Sequence, residues 1–96
     1  MKISYHVKEE RIDRLAFILT ETGLGEIKYR NYHKPGRVRC ATTTGVIMIL
    51  NREETTLITA YYGNATQLKE TCGGDLPLWL HNVLRNNIKK GYTKMG

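Results

Sequence analysis

The sequence predicts an α+β fold: an antiparallel sheet of about four strands with an N-terminal helix and a C-terminal helix packed against it. Three observations predict it. Apolar residues recur at helical spacing near both ends of the chain, at Ile12, Leu15, Ala16 and Leu19 and again at Leu76, Leu80, Val83 and Leu84. The middle of the chain changes to alternation, as in EIKYRNY and RVRCATT. Turn-forming breaks, among them HKPG, separate these segments.

In order, KISYH is a short extended start. The segment from Val7 to Thr22 follows as helix, with Ile18 flanking its stripe and Glu9, Glu10 and Asp13 near its beginning, where the helix dipole favours negative charge. Gly23 and Gly25 stop it. EIKYRNY sets Ile27 and Tyr29 against Lys28 and Arg30, the period of a half-exposed strand. In HKPG, Pro35 fixes φ and Gly36 permits positive φ. RVRCATT points Arg37 and Arg39 one way and Val38 and Cys40 the other. Gly45 breaks the β-branched run, and VIMIL reads as a central strand covered on both faces.

NREET is a hairpin turn. Its partner strand TLITAYY has Leu57, Thr59 and Tyr61 on one face and Ile58, Ala60 and Tyr62 on the other. GNATQLKETCGGD reads as an irregular or one-turn connection capped at Asn64 and broken by Gly73 and Gly74. The last helix begins near Asp75, an N-cap residue, tolerates Pro77 in its first turn and ends near Gly91. Trp79 and Ile88 lie beside its stripe, Trp79 as a core residue, with Arg85, Lys89 and Lys90 opposite. Amphipathic helices over an antiparallel sheet economically share one of its faces.

The chain has 96 residues, enough for one domain over 1–96 with one modest core. Fifteen Lys and Arg against nine Asp and Glu give a net charge of +6, the profile of a domain with a polyanionic partner. Its two cysteines, Cys40 and Cys72, are too few and too far apart for a zinc cluster or a secreted disulfide scaffold. They read as inert reduced thiols of a cytoplasmic protein. No apolar run is long enough for a signal peptide or a membrane span, so no membrane partner is expected.

The stretch KYRNYHKPGRVR, from Lys28 to Arg39, holds five Lys and Arg and no acidic residue. It reads as a strand-turn-strand that grips a phosphate backbone, with Lys28, Arg30, His33, Lys34, Arg37 and Arg39 as RNA-binding residues. Nucleotide-loop, metal-protease and paired-cysteine signatures are missing. No cofactor and no metal are expected. What remains is His6, Arg11, Arg14, His33, Arg37, Arg39, Thr59, Tyr61 and Tyr62: a base, phosphate-binding cations and hydroxyl donors. RNA cleavage needs no other groups. A base frees the 2′-hydroxyl to attack its own phosphate, cations stabilise the phosphorane, and an acid protonates the leaving oxygen. If the faces carrying Arg37 and Arg39, and Thr59 and Tyr61, coincide, four polar groups converge.

Plainer roles exist for each residue. His6 before a helix caps or packs, His33 sits in a solvated turn, and Arg37 and Arg39 discourage edge pairing. Thr59 and Tyr61 are good strand formers in any case. Tyr5, Tyr29, Tyr32 and Tyr92 are packing residues or base-stacking platforms.

ISYHVKEERIDRL is similar to the His-x-x-x-Arg-x-x-x-Arg-type opening of small RelE-like domains, and GRVRCATTTGVIMILNREETTLITAYY looks like their strand core. These belong to the barnase/EndoU/colicin/RelE group of metal-independent ribonucleases and toxins, including phage versions. The resemblance spans residues 3 to 62. It implies a catalytic set of His6, Arg11 (or Arg14), Arg39 (or Arg37), Thr59 and Tyr61, with RNA as substrate and an antitoxin or other protein as partner. The His6–Arg11 spacing is one residue longer than that pattern, and the final helix is not the group's commonest ending; it would replace an antitoxin contact or support a dimer. The expected function is a metal-independent ribonuclease of toxin or phage type. The alternatives are a non-catalytic phage-type inhibitor that engages nucleic acid, or a nucleic-acid-binding partner, through its basic face, and an interaction subunit whose basic patch meets an acidic protein.

Overall fold

A computed structural model of the chain describes residues 2–3 and 12–94, the side chain of His33 excepted. Among these residues five strands and three helices follow one another: β1 (Lys2–Ile3), α1 (Ile12–Glu21), β2 (Ile27–Lys34), β3 (Arg37–Thr42), β4 (Val46–Asn51), β5 (Thr56–Tyr62), α2 (Ala65–Cys72) and α3 (Leu78–Lys89). The sheet order is β1-β5-β4-β3-β2. The last four strands form the expected antiparallel meander. β1 adds a fifth strand, parallel to β5, so the sheet is mixed. Two residues are too short to show a period; the register of Lys2 with Thr56 and Ile3 with Leu57 shows the pairing, and the Lys2 amide donates to the Thr55 carbonyl at 2.8 Å.

Helices cover both faces of the sheet, not one. β4 is the reason: all of Val46 to Leu50 is buried, and alternation sends these side chains to opposite sides. Val46, Met48 and Leu50 join Val38, Cys40, Leu57, Ala60 and Tyr62 under Leu15 and Ile18 of α1. Ile47 and Ile49 join Ala41 under Leu68 of α2 and Leu80 and Leu84 of α3. Apolar surface on either side would cost about 25 cal/mol per Å² if left wet, so each face requires a cover.

The helices depart from expectation in detail. In α1 only Leu15 and Ile18 are buried, while Ile12, Ala16 and Leu19 of the expected stripe are exposed. The segment between β5 and α3 is an eight-residue helix rather than a single turn. Asn64 caps it as expected, accepting from the Gln67 amide while the Gln67 side chain accepts from the Asn64 amide, and Gly73 ends it at φ 85°. The N-cap of α3 is Pro77, not Asp75, and it offers no side-chain cap. Trp79 is not a core residue. It is 38% exposed and stacks on Tyr29, ring centroids 6.2 Å apart and planes 6° from parallel.

Candidate nucleic-acid interface and cleft

Strand register decides which polar residues meet. Arg39 stands opposite Ile49, and Ile49 opposite Thr59; one row over, Ala41 faces Ile47 and Ile47 faces Tyr61. Arg39, Thr59 and Tyr61 therefore share the α2/α3 face. Leu57 does not share it, contrary to simple alternation. After Ile49–Thr59 the next pair is Leu50–Leu57, so Ile58 is an extra residue in a β-bulge, and Leu57 turns into the opposite core.

Among the described residues, β1 pairs with β5 only at Thr56 and Leu57. Along the remainder of β5 runs a cleft of about 710 Å³ lined from both faces, by Thr59 and Tyr61 on one side and Phe17 and Tyr62 on the other. That volume lies in the usual range for ligand sites, roughly 300–1,000 Å³. Arg14 enters it from α1. Its Nη2 donates to Thr59 Oγ1 at 3.3 Å, and its guanidinium carbon lies 5.9 Å from the Tyr61 ring centroid. Tyr92 closes the far side by stacking on Tyr62 at 4.9 Å, with Phe17 edge-on to both rings. Asn64, Gln67, Thr93 and Lys94 complete the polar lining, which includes two cations and no carboxylate among the described residues.

The Tyr61 phenol is half-buried beside two guanidiniums. Burial pushes its phenol up, against a weaker downward pull from the Arg39 and Arg14 guanidiniums. It therefore stays neutral around pH 7.

Arg39 does not line the cleft. Its side chain is only 11% exposed, and Nη1 donates to Glu70 Oε2 at 3.3 Å. Its Nε is buried without a hydrogen-bond partner, as is Oδ1 of the neighbouring Asn31, whose Nδ2 donates to the Glu70 carbonyl at 2.9 Å. Arg39 thus makes no contact in the cleft, and its charge at Tyr61 is opposed by that of its partner Glu70.

The basic stretch does not form one patch. Arg30 pairs in register with Cys40 and belongs to the α1 side, while Asn31 pairs with Arg39 on the other. Part of its charge is neutralised within the chain. Arg30 Nε donates to Glu54 Oε1 at 2.8 Å, which raises the Arg30 pKa, and Lys28 lies 3.8 Å from Glu26. Lys34 and Arg37 remain at the β2–β3 turn. The backbone of His33 lies in β2. His6 and Arg11 lie outside the described residues.

No family model, curated protein or solved structure matches this chain. The site therefore stands on its own geometry. Arg14 is among the phosphate-binding cations expected from the sequence, and in the family resemblance it is the alternative to Arg11. Asn64, Gln67 and Lys94 are not among the sequence candidates; they reach the cleft from the N-cap and first turn of α2 and from the segment after α3. The Asn64–Gln67 spacing marks a helix cap rather than a cleft, and no period or motif marks Lys94. Among the described residues no three His, Cys, Asp or Glu side chains gather as a metal site, and no helix is long and apolar enough to cross a membrane.

Proposed function

We propose that this chain is a metal-independent endoribonuclease of toxin or phage type whose scissile phosphate occupies the β5 cleft. The observation that carries the proposal is the Arg14 guanidinium held against Thr59 and Tyr61 in a cleft with cationic and hydroxyl lining and, among the described residues, no carboxylate. A guanidinium fork suits two non-bridging phosphate oxygens, and the negative charge that grows on them in the phosphorane strengthens that contact in the transition state. In this reading Tyr61, protonated at neutral pH as a phenol is, gives its proton to the departing 5′-oxygen. His6, assigned from the sequence pattern, is the base that takes the proton of the attacking 2′-hydroxyl. The products are a 2′,3′-cyclic phosphate and a 5′-hydroxyl end. Thr59 orients Arg14, and Arg39 adds positive potential from behind Tyr61.

The test is incubation of purified protein with RNA and with DNA of the same sequence in EDTA, with the ends analysed on a denaturing gel. Cleavage of RNA alone, leaving cyclic phosphates and lost on His6→Ala, is expected. Folded protein that cuts nothing with or without added metal would overturn the proposal. Binding that persists without cutting would identify the inhibitor-type alternative.

A further inference from the structure

At the end of the sheet where the β2–β3 and β4–β5 turns come together, Tyr32, Lys34, Pro35, Gly36, Arg37 and Arg52 line a hollow of about 520 Å³. Register brings them there: Lys34 pairs with Arg37, Arg37 with Asn51, and Arg52 follows in the next turn. Tyr32 is 85% exposed, the most exposed of the large hydrophobic side chains described. We propose that this hollow is a subsite for single-stranded nucleic acid, with Tyr32 as a stacking platform for an unpaired base and Lys34, Arg37 and Arg52 as clamps on the flanking phosphates.

Two observations favour a ligand over a merely solvated surface. The other cations of the stretch, Lys28, Arg30 and Arg39, each face a carboxylate, from Glu26, Glu54 and Glu70. Among the described residues none pairs with Lys34, Arg37 or Arg52, and Glu53, exposed in the same turn, does not line the hollow. The charge is therefore neutralised along the strands and left open at the tip. An aromatic face beside it supplies what a single strand needs and a duplex cannot use, because paired bases are already stacked. An acidic protein would satisfy the cations and leave Tyr32 without a role.

The ligand's identity as RNA rests on the ribonuclease reading; the subsite itself does not. Arg37 and Thr59 are two strands and two residues apart, by register about 10 Å across the sheet and 7 Å along it. One strand could therefore occupy the tip and the cleft together, and the tip would hold substrate rather than cut it.

Fluorescently labelled 2′-O-methyl RNA, which lacks the attacking hydroxyl, separates binding from cleavage. Its anisotropy titration is compared with DNA of the same sequence and with the duplex, at several salt concentrations. Tyr32→Ala should weaken single-strand binding roughly tenfold, and Tyr32→Phe should retain it. Arg37→Ala and Arg52→Ala should each lower the slope of log K against log salt by about 0.7. Equal binding of DNA supports the subsite, since base and phosphate are common to both. Equal or tighter duplex binding overturns it, as does unchanged affinity in Tyr32→Ala; loss in the arginine variants alone would mark a charge-only face for an acidic partner. Protein that binds through Tyr32 and cuts no RNA keeps the subsite and removes the ribonuclease. Protein that cuts RNA while Tyr32→Ala binds normally does the reverse.

Discussion

Arg14 Nη2 donates to Thr59 Oγ1 at 3.3 Å across 45 residues of sequence, joining α1 to β5 at the mouth of the cleft. The bond fixes a guanidinium beside Tyr61, where an isolated helix arginine would sample many rotamers. Arg14→Ala should therefore lower RNA cleavage by about a hundredfold or more, as loss of one transition-state donor does. Arg14→Lys restores charge without the planar fork and should recover only part. Thr59→Val, which keeps the shape and removes the hydroxyl, should give a smaller loss. Single-turnover rates on variants shown to fold check this; an Arg14→Ala protein that cuts at the wild-type rate would remove Arg14 from the mechanism.

Tyr61 has a pH signature. Burial raises its pKa above the ordinary value near 10, and burial likewise raises that of the Cys40 thiol. For a group raised on folding, the native state binds the proton more tightly. Its stabilisation is complete below the unfolded pKa and is lost as pH rises through the folded one. Denaturant midpoints should therefore fall above about pH 9, first through Cys40 and then through Tyr61. Tyr61→Phe should flatten the upper part of that decline and slow cleavage by about a hundredfold if the hydroxyl is the acid. A Tyr61→Phe protein with wild-type rate and an unchanged alkaline limb would contradict both roles.

Trp79 and Leu80 are neighbours with opposite environments. Leu80 is buried in the α2/α3 core, whereas Trp79 is partly exposed against Tyr29. Leu80→Ala should cost about 2–5 kcal/mol. Trp79→Ala should cost less, about 1–2 kcal/mol, from a stacked pair with partial burial. Urea titrations of the two variants rank them; a larger loss for Trp79→Ala would mean that the stack carries the seating of α3.

The cysteines should differ in reactivity. Cys40 is fully buried with its thiol pKa raised by burial, while Cys72 is only partly buried. A thiol reagent should label Cys72 in the native protein and Cys40 only at the rate of unfolding. Mass spectrometry after brief exposure locates the label, and early modification of Cys40 would contradict the packing of β3.

The amino-acid sequence by itself determined the local architecture. Alternation and turn residues marked four strands of the meander, the apolar run VIMIL marked the strand buried on both faces, and Asn64 and Gly73 marked the ends of α2, because each signal lies within a few neighbouring residues. Thr59 and Tyr61 were legible as candidates for the same reason. What only the tertiary structure decided depends on pairing between distant segments. The bulge at Ile58 reversed the side of Leu57, Glu54 and Glu70 claimed Arg30 and Arg39, and Gly45, at φ 78°, proved to be where a Cβ would lie 2.6 Å from Nδ2 of the buried Asn87. A period of two or 3.6 residues assigns a side chain to a face, but which face meets which, and which charge finds a carboxylate, follows from the register of strands and the wrapping of helices, quantities that belong to no single window of sequence.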